Sequence, residues 1–372
     1  MEPAVRVVVV GGGVIGLSIA WRAASRGMSV TVVDPAPGSG ASAVAAGMLA
    51  PVTEVHYGEE ALLELNLESS RRYPRFVAEL EELTGADTGY RSCGTVTVAR
   101  DADDLAALDE LVAYQRGLGL DVERLRSREL RRLEPGLAPT VRGGALVAGD
   151  HQVDPRRLVA ALLQACRRAA VRFLPERVVA VEAPAVILEG GGTETGEVVV
   201  LAAGCWSSQV AGAAAAFGRS VRPVKGQIVR LRRGAGPLPI ERNVRGVDAY
   251  LVPRAGGELV IGATVEERGF DTEVTGGAVH DLLRAALELV PDVAELTLVE
   301  AAAGLRPGTP DNAPVVGPTA VDGLVAATGH YRNGILLAPV TADAVVELLA
   351  TGEVPAGMAP FSPRRFDKVL SR

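Results

Sequence analysis

Residues 6–34 read RVVVVGGGVIGLSIAWRAASRGMSVTVVD. The opening run, 6–10, is β-branched and continuously apolar after Arg6, the pattern of a strand buried on both faces. Gly11, Gly12, Gly13 and Gly16 follow at once, a helical stretch runs on to Arg26, Gly27 stops it, and a second β-branched run ends in Asp34. Each part has a mechanical role in holding a dinucleotide. Gly11 makes the tight turn, Gly13 lets the backbone approach a pyrophosphate, and Gly16 lets the helix pack close on the strand. The helix N-terminus offers unpaired N–H groups and partial positive charge to the phosphates. Asp34 follows Gly16 by 18 residues, where a carboxylate accepts a hydrogen bond from an adenosine ribose hydroxyl and would repel a 2′-phosphate. The stretch predicts a Rossmann-like dinucleotide-binding domain that disfavours NADP. NAD and FAD both satisfy it.

The whole chain is larger than that unit. Its 372 residues predict roughly two domains, at about 150 residues each. Hydrophobic residues make up 48% and charged residues 22%, a globular balance that rules out long disorder. Of 38 basic residues only Lys225 and Lys368 are lysines, an arginine skew of the kind a GC-rich coding bias produces. The net charge of −7 argues against nucleic acid or an anionic membrane as a partner, since neither is bound without a concentrated basic face. Cys93, Cys166 and Cys205 are too few and too far apart for a disulfide framework or a CxxC site. The longest uncharged apolar stretch, 7–21, is short of the ~20 residues that span a bilayer. It also lacks a signal-peptide cleavage pattern. A mature cytoplasmic N-terminus is the expectation.

Downstream, residues 35–47 form a run of small side chains that can lie flat against a large ligand. Helical spacing of apolar residues covers 59–84, with Pro74 a kink, and further helices are expected over 103–117, 155–170, 278–289 and 334–350. Strands are expected over 94–99, 198–203, 296–301 and 324–327, and an antiparallel set over 223–231, 249–254 and 258–263, the last two joined by Gly256 and Gly257. The order describes an α/β fold, α+β overall. A dinucleotide-binding domain (1–88, 147–219 and 302–372) is interrupted by segments 89–146 and 220–301, which build an antiparallel-sheet substrate domain.

Nearly end to end, the chain resembles the glycine oxidase branch of the D-amino acid oxidase and sarcosine oxidase flavoproteins. The resemblance rests on the N-terminal fingerprint, Gly40-Ala41-Ser42 through Gly47-Met48-Leu49-Ala50-Pro51, Val153-Asp154-Pro155 and Ala202-Ala203-Gly204. It continues in Pro223-Val224-Lys225-Gly226-Gln227, Gly304-Leu305-Arg306-Pro307 with Asp311, and 329–339, which reads GHYRNGILLAP and resembles the thiamine-pathway glycine oxidases more than the sarcosine oxidases. A glutamate is more usual than Asp34 in this family. The resemblance implies non-covalent FAD, since residues 301–314 hold no cysteine of the kind that tethers flavin in sarcosine oxidases. It implies cofactor contacts from Gly11, Gly13, Val14, Ile15, Gly16, Asp34, Ser42, Ala46, Gly47, Met48, Gly204, Arg332, Asn333, Gly334, Ile335 and Leu336. A helix beginning near Gly334 would turn its N-terminus to the flavin pyrimidine and stabilise negative charge on the reduced ring.

The substrate residues implied are Arg306, Tyr250 and Arg332. Physical chemistry supports the first independently, because an amino-acid oxidase must fix a carboxylate so that the Cα–H meets flavin, and a guanidinium fork fixes orientation as well as position. The expected reaction is hydride transfer from glycine, or from sarcosine or a small D-amino acid, with O₂ reoxidising the flavin. It gives hydrogen peroxide, glyoxylate and ammonia, with the imine supplying thiazole synthesis for thiamine. No acid–base residue is needed if the neutral amine binds, and no histidine shows metal-ligand spacing. A dehydrogenase using another acceptor and a non-catalytic flavin-binding subunit are the alternatives. The oligomeric state, a homo-oligomer included, stays open at this point.

Overall fold

A computed structural model describes residues 4–213 and 220–366. Residues 1–3, 214–219 and 367–372, one end of each of the three expected dinucleotide-domain segments, lie outside the described residues.

The strand predicted from the opening stretch is β1 (Arg6–Val10), followed by α1 (Val14–Ser25) and β2 (Ser29–Val33). Strand β1 lies inside a six-stranded sheet, between β2 and Val198–Leu201, parallel to both. Arg172–Leu174 lies beyond β2, and Leu324–Thr328 then Val315–Pro318 lie beyond Val198–Leu201. Only the last pairing is antiparallel. Helices cover one face through Leu17, Ile19, Leu158, Leu162 and Val345, all buried with Val7 and Val9, while Val8 and Val10 face a second cluster. A strand sandwiched in this way has no solvent face, which is why its sequence does not alternate.

The second sheet has eight strands, in the order Thr297–Gly308, Arg222–Arg232, Glu258–Gly262, Tyr250–Pro253, Asn243–Arg245, Thr95–Ala99, Gly143–Val147 and Glu123–Arg126. The hairpin signal at Gly256 and Gly257 is borne out. Both residues have positive φ (83° and 79°), the backbone that glycine adopts without strain, and the flanking strands pair antiparallel. Alternation sorts the side chains. Val229, Leu251, Leu259 and Ile261 pack beneath the helix Gly276–Leu289, whereas Ile228, Val252 and Val260 turn to the other face, against Ala46 and Met48. The second face is directed at the dinucleotide-binding half, so the two large sheets have a cavity between them.

Two expectations are corrected. The strand expected over 296–301 runs on to Gly308, so Arg306 lies within a strand and not in a loop after it. Its Gly and Pro content reads as a loop, yet this is an edge strand, where such residues are tolerated, and Gly304 and Pro307 stand opposite Gly226 and Pro223. The expected boundaries after 146 and 301 therefore fall inside the strands Gly143–Val147 and Thr297–Gly308. The final α-helix is Ala338–Thr351, preceded by a 3₁₀ turn Tyr331–Asn333, and does not begin near Gly334. Pro339 has no N–H to give the Ile335 carbonyl, which accepts from the Ala338 N–H (3.4 Å) and from Tyr73 Oη (3.2 Å). The Leu336 carbonyl likewise accepts from Ser69 Oγ (2.6 Å).

Candidate active site

A cavity of about 720 Å³ runs from the glycine turn after β1 to the face of the eight-stranded sheet. At the first end the glycines separate by what surrounds them. A Cβ on Gly11 (φ +107°) would stand 2.4 Å from the Ala202 carbonyl oxygen, and one on Gly16 would stand 1.9 Å from the Gly11 carbonyl oxygen. Gly16 is thus a packing glycine and does not line the cavity. Gly13 does line it, and a Cβ there would meet only Ser42 Oγ, at 3.6 Å. The first turn of α1 carries no acidic residue, which leaves its positive end available to an anion, and the Val14 N–H is held by Ser42 Oγ (3.0 Å). Asp34 also lines the cavity. Its two carboxylate oxygens accept from the Gly12 and Ala36 N–H groups (2.7 Å each), which fixes the carboxylate in place while each oxygen keeps a free lone pair.

Ser42, Ala46, Gly47, Met48, Gly204, Gly334 and Ile335 line the same cavity, as do Val14 and Ile15. Asn333 and Leu336 do not line it; both are buried, Leu336 in the helical core. His330 lines it with its Nε2 on Thr341 Oγ1 (3.0 Å), and burial pushes its pKa down to about 3, so the ring is neutral.

At the second end, Arg306 and Tyr250 lie across glycines on neighbouring strands. A Cβ on Gly226 would stand 2.3 Å from Arg306 Nη1, and one on Gly262 would stand 2.4 Å from Tyr250 Oη. The Arg306 Nη1 donates to the Thr264 and Lys225 carbonyls (3.1 and 3.4 Å). Burial raises the Tyr250 pKa while the Arg306 guanidinium beside it pulls the other way, and the phenol remains a donor at neutral pH. Arg245 and Arg332 also reach the cavity, but each is matched by a carboxylate. Arg245 Nη1 meets Glu54 Oε1 at 2.8 Å, and Arg332 Nη2 meets Glu59 Oε2 at 2.6 Å. Among the described residues Arg306 has no such partner, so this end of the cavity carries one unneutralised cation, the charge that a single carboxylate requires. Sequence reasoning missed Glu54, Arg245, Gly226 as a cradle, and Gly262. Only Gly226 stood in a quoted motif; Gly262 becomes visible only through the strand register, and Glu54 and Arg245 only through their long-range ion pair.

Asp150 fixes the segment that carries Glu54. Its carboxylate accepts from the Val52 and Thr53 N–H groups and from Thr53 Oγ1, and burial pushes its pKa from 3.8 up to about 7. On folding, the group takes up a proton between those two values, so its contribution is most favourable below the lower one and is lost as pH rises through the upper. The wild-type melting temperature should therefore fall between about pH 4 and 7 more steeply than that of Asp150→Asn. Parallel melting curves would remove Asp150 as the cause.

The cradle at Gly13, the anchored Asp34 and the volume of the cavity, about 720 Å³, fit a flavin dinucleotide. Comparison with known proteins agrees. Residues 6–348 match the family model of FAD dependent oxidoreductases. The chain belongs to this family, and FAD is its cofactor. More particularly, it is a homologue of glycine oxidases, flavin-dependent amino-acid oxidases. The glycine oxidase of Geobacillus kaustophilus is 37% identical, over 96% of each chain. The crystal structure of glycine oxidase from Geobacillus kaustophilus matches with a TM-score of 0.90 and 35% identity, over 97% of this chain and 99% of that one. The bifunctional protein ThiO/ThiG of a Synechocystis strain is 36% identical over 98% of this chain, which spans about half (55%) of that longer protein. The hydrogen cyanide synthase subunit HcnC of Pseudomonas aeruginosa is 32% identical over 97% of this chain and 96% of its own. Among the described residues no helix is long and apolar enough to cross a membrane.

Proposed function

We propose that the protein oxidises glycine, or sarcosine or a small D-amino acid, to the imine, passing the electrons to O₂. When bound, FAD supplies the two-electron acceptor for the Cα–H bond. The chain's own residues choose and hold the substrate. Arg306 binds the carboxylate with its fork, Tyr250 donates its hydroxyl to the same group, and the Arg245–Glu54 and Arg332–Glu59 pairs wall the remaining space without adding net charge. The observation that carries this reading is the single unneutralised guanidinium, Arg306, aimed into a cavity beside a phenol donor.

Among the described residues none at this end is placed to abstract a proton. Glu54 is held by Arg245, the Asp248 carboxylate by Arg100 (2.9 Å), and His330 is neutral and bonded to Thr341. The substrate amine therefore reacts in its neutral form. The imine hydrolyses to glyoxylate and ammonia, or supplies thiazole formation in thiamine synthesis, a route supported by the ThiO/ThiG relatives.

Purified holoprotein tests this in one cuvette. Anaerobic glycine should bleach the oxidised flavin spectrum, and in air the same mixture should form peroxide without any added acceptor. Bleaching without peroxide would assign the electrons to a different acceptor, the reading the HcnC relatives favour. An unbleached spectrum with glycine, sarcosine and D-alanine alike would overturn the proposal.

A further inference from the structure

Arg254 follows the strand that carries Tyr250, and it is buried, at 5% exposure. No carboxylate pairs with it among the described residues. Its Nη1 donates to Gln152 Oε1 (2.6 Å) and to the Val153 carbonyl (2.7 Å), its Nη2 donates to the Ala46 carbonyl, and its Nε is buried without a partner. Burial lowers its pKa to about 10, so it is still a cation at neutral pH. An unpaired buried charge is costly, and it persists where the surrounding dipoles are arranged around it.

Those dipoles belong to one knot. The Val153 N–H donates to the Gly47 carbonyl (2.9 Å), and a Cβ on Gly47 (φ +73°) would stand 2.2 Å from the Val153 carbonyl oxygen. Met48 and Leu49 then pair with Gln152 and His151. Ala46, Gly47 and Met48 line the cofactor cavity, and Arg254 does not. In a trans peptide the carbonyl and the following N–H point in opposite directions. With the Ala46 carbonyl drawn to Arg254, the Gly47 N–H is turned the other way, and it donates to no described group although Gly47 is buried. A buried, unbonded N–H on a cavity wall is a donor waiting for an acceptor.

We propose that Arg254 is a positioning residue for the flavin: it fixes the Ala46–Gly47 peptide so that the Gly47 N–H is presented to the cofactor, and it ties that peptide to the strand bearing Tyr250. An amide donor held against the ring stabilises the electron-rich reduced form. The residue therefore bears on the flavin's potential as well as its affinity.

The test compares wild type with Arg254→Lys and Arg254→Met. It reads FAD affinity by titrating the apoprotein, the midpoint potential of the bound flavin by dye-coupled reduction, and the melting temperature of the apoprotein. Lysine keeps the charge but cannot span the Ala46 and Val153 carbonyls as a fork does. FAD binding should weaken about 10-fold or more in Arg254→Met and less in Arg254→Lys. The potential should shift negative in the same order. Wild-type potentials in both variants would overturn the proposal, whether or not affinity falls, because Arg254 would then only pack. Loss of the fold in both variants would overturn it in the same way.

Discussion

Replacing Arg306 by lysine should raise the Michaelis constant for glycine roughly 10- to 100-fold and lower the turnover number as well. The first effect follows from losing one arm of a two-armed, charge-assisted contact, worth about 1.5–3 kcal/mol, at about 1.4 kcal/mol per factor of ten. The second follows from orientation, since an ammonium holds a carboxylate at a point and leaves it free to swing, and misaligned Cα–H bonds react slowly. Arg306→Leu should lose more, because no neighbour can substitute. Arg245 and Arg332 are already committed to Glu54 and Glu59, at 2.8 and 2.6 Å. Gly226→Ala should weaken binding by displacing the Arg306 fork while leaving the residue itself in place, because its Cβ would stand 2.3 Å from Nη1. Acetate, a carboxylate with no amine to oxidise, separates binding from turnover. Its perturbation of the flavin spectrum should require correspondingly higher concentrations in all three variants. Wild-type kinetics and acetate affinity in Arg306→Lys would remove Arg306 from the site.

The difference between what could be read and what could not is one of range. The turn at Gly11, Gly13 and Gly16 and the hairpin at Gly256 and Gly257 were legible because the cause of each conformation lies within a few residues of its effect. Arg306 was legible as a type of residue in a motif, but its strand was not. The run from Gly304 to Gly308 looks like a loop unless one knows that Pro223 and Gly226 stand opposite it across a sheet edge. The Glu54–Arg245 pair joins residues 191 positions apart, so no local pattern announces it. Gly262 is needed only because Tyr250 lies over it, a fact of register between two strands. The last helix starts later than its sequence predicts because the apolar run 335–337 continues the helical pattern, whereas Pro339 and the hydroxyls of Ser69 and Tyr73 decide where the regular ladder begins. The glycine turn after β1 is thus written locally, and the Arg306 end of the cavity non-locally.

That contrast can be tested within the opening glycines themselves. Gly16→Ala should yield a destabilised protein that purifies without colour, whereas Gly13→Ala should keep the fold and lose only affinity for FAD. At Gly16 the new methyl would stand 1.9 Å from the Gly11 carbonyl oxygen, a backbone atom that has nowhere to go. The Gly11 N–H is fixed to the Val33 carbonyl (3.0 Å), and the far side of Gly11 is closed by Ala202, so α1 must lift from β1 instead. Lifting it opens a core in which Leu17, Ile19 and Ala20 are fully buried. Overpacking of this kind costs about 1–3 kcal/mol, and it also displaces the helix end that receives the phosphates. At Gly13 the φ of −75° suits any residue, and the methyl's nearest neighbour is Ser42 Oγ at 3.6 Å. It would project into the cavity, where the pyrophosphate must approach the backbone. Apoprotein melting curves and FAD titrations separate the two outcomes. The apoprotein of Gly13→Ala should melt with the wild type and bind FAD at least about 10-fold more weakly, while Gly16→Ala should fail on both counts. A Gly13→Ala protein that binds FAD like the wild type would show that the phosphates do not approach α1 through Gly13, and the assignment of the cavity's two ends would have to be reversed.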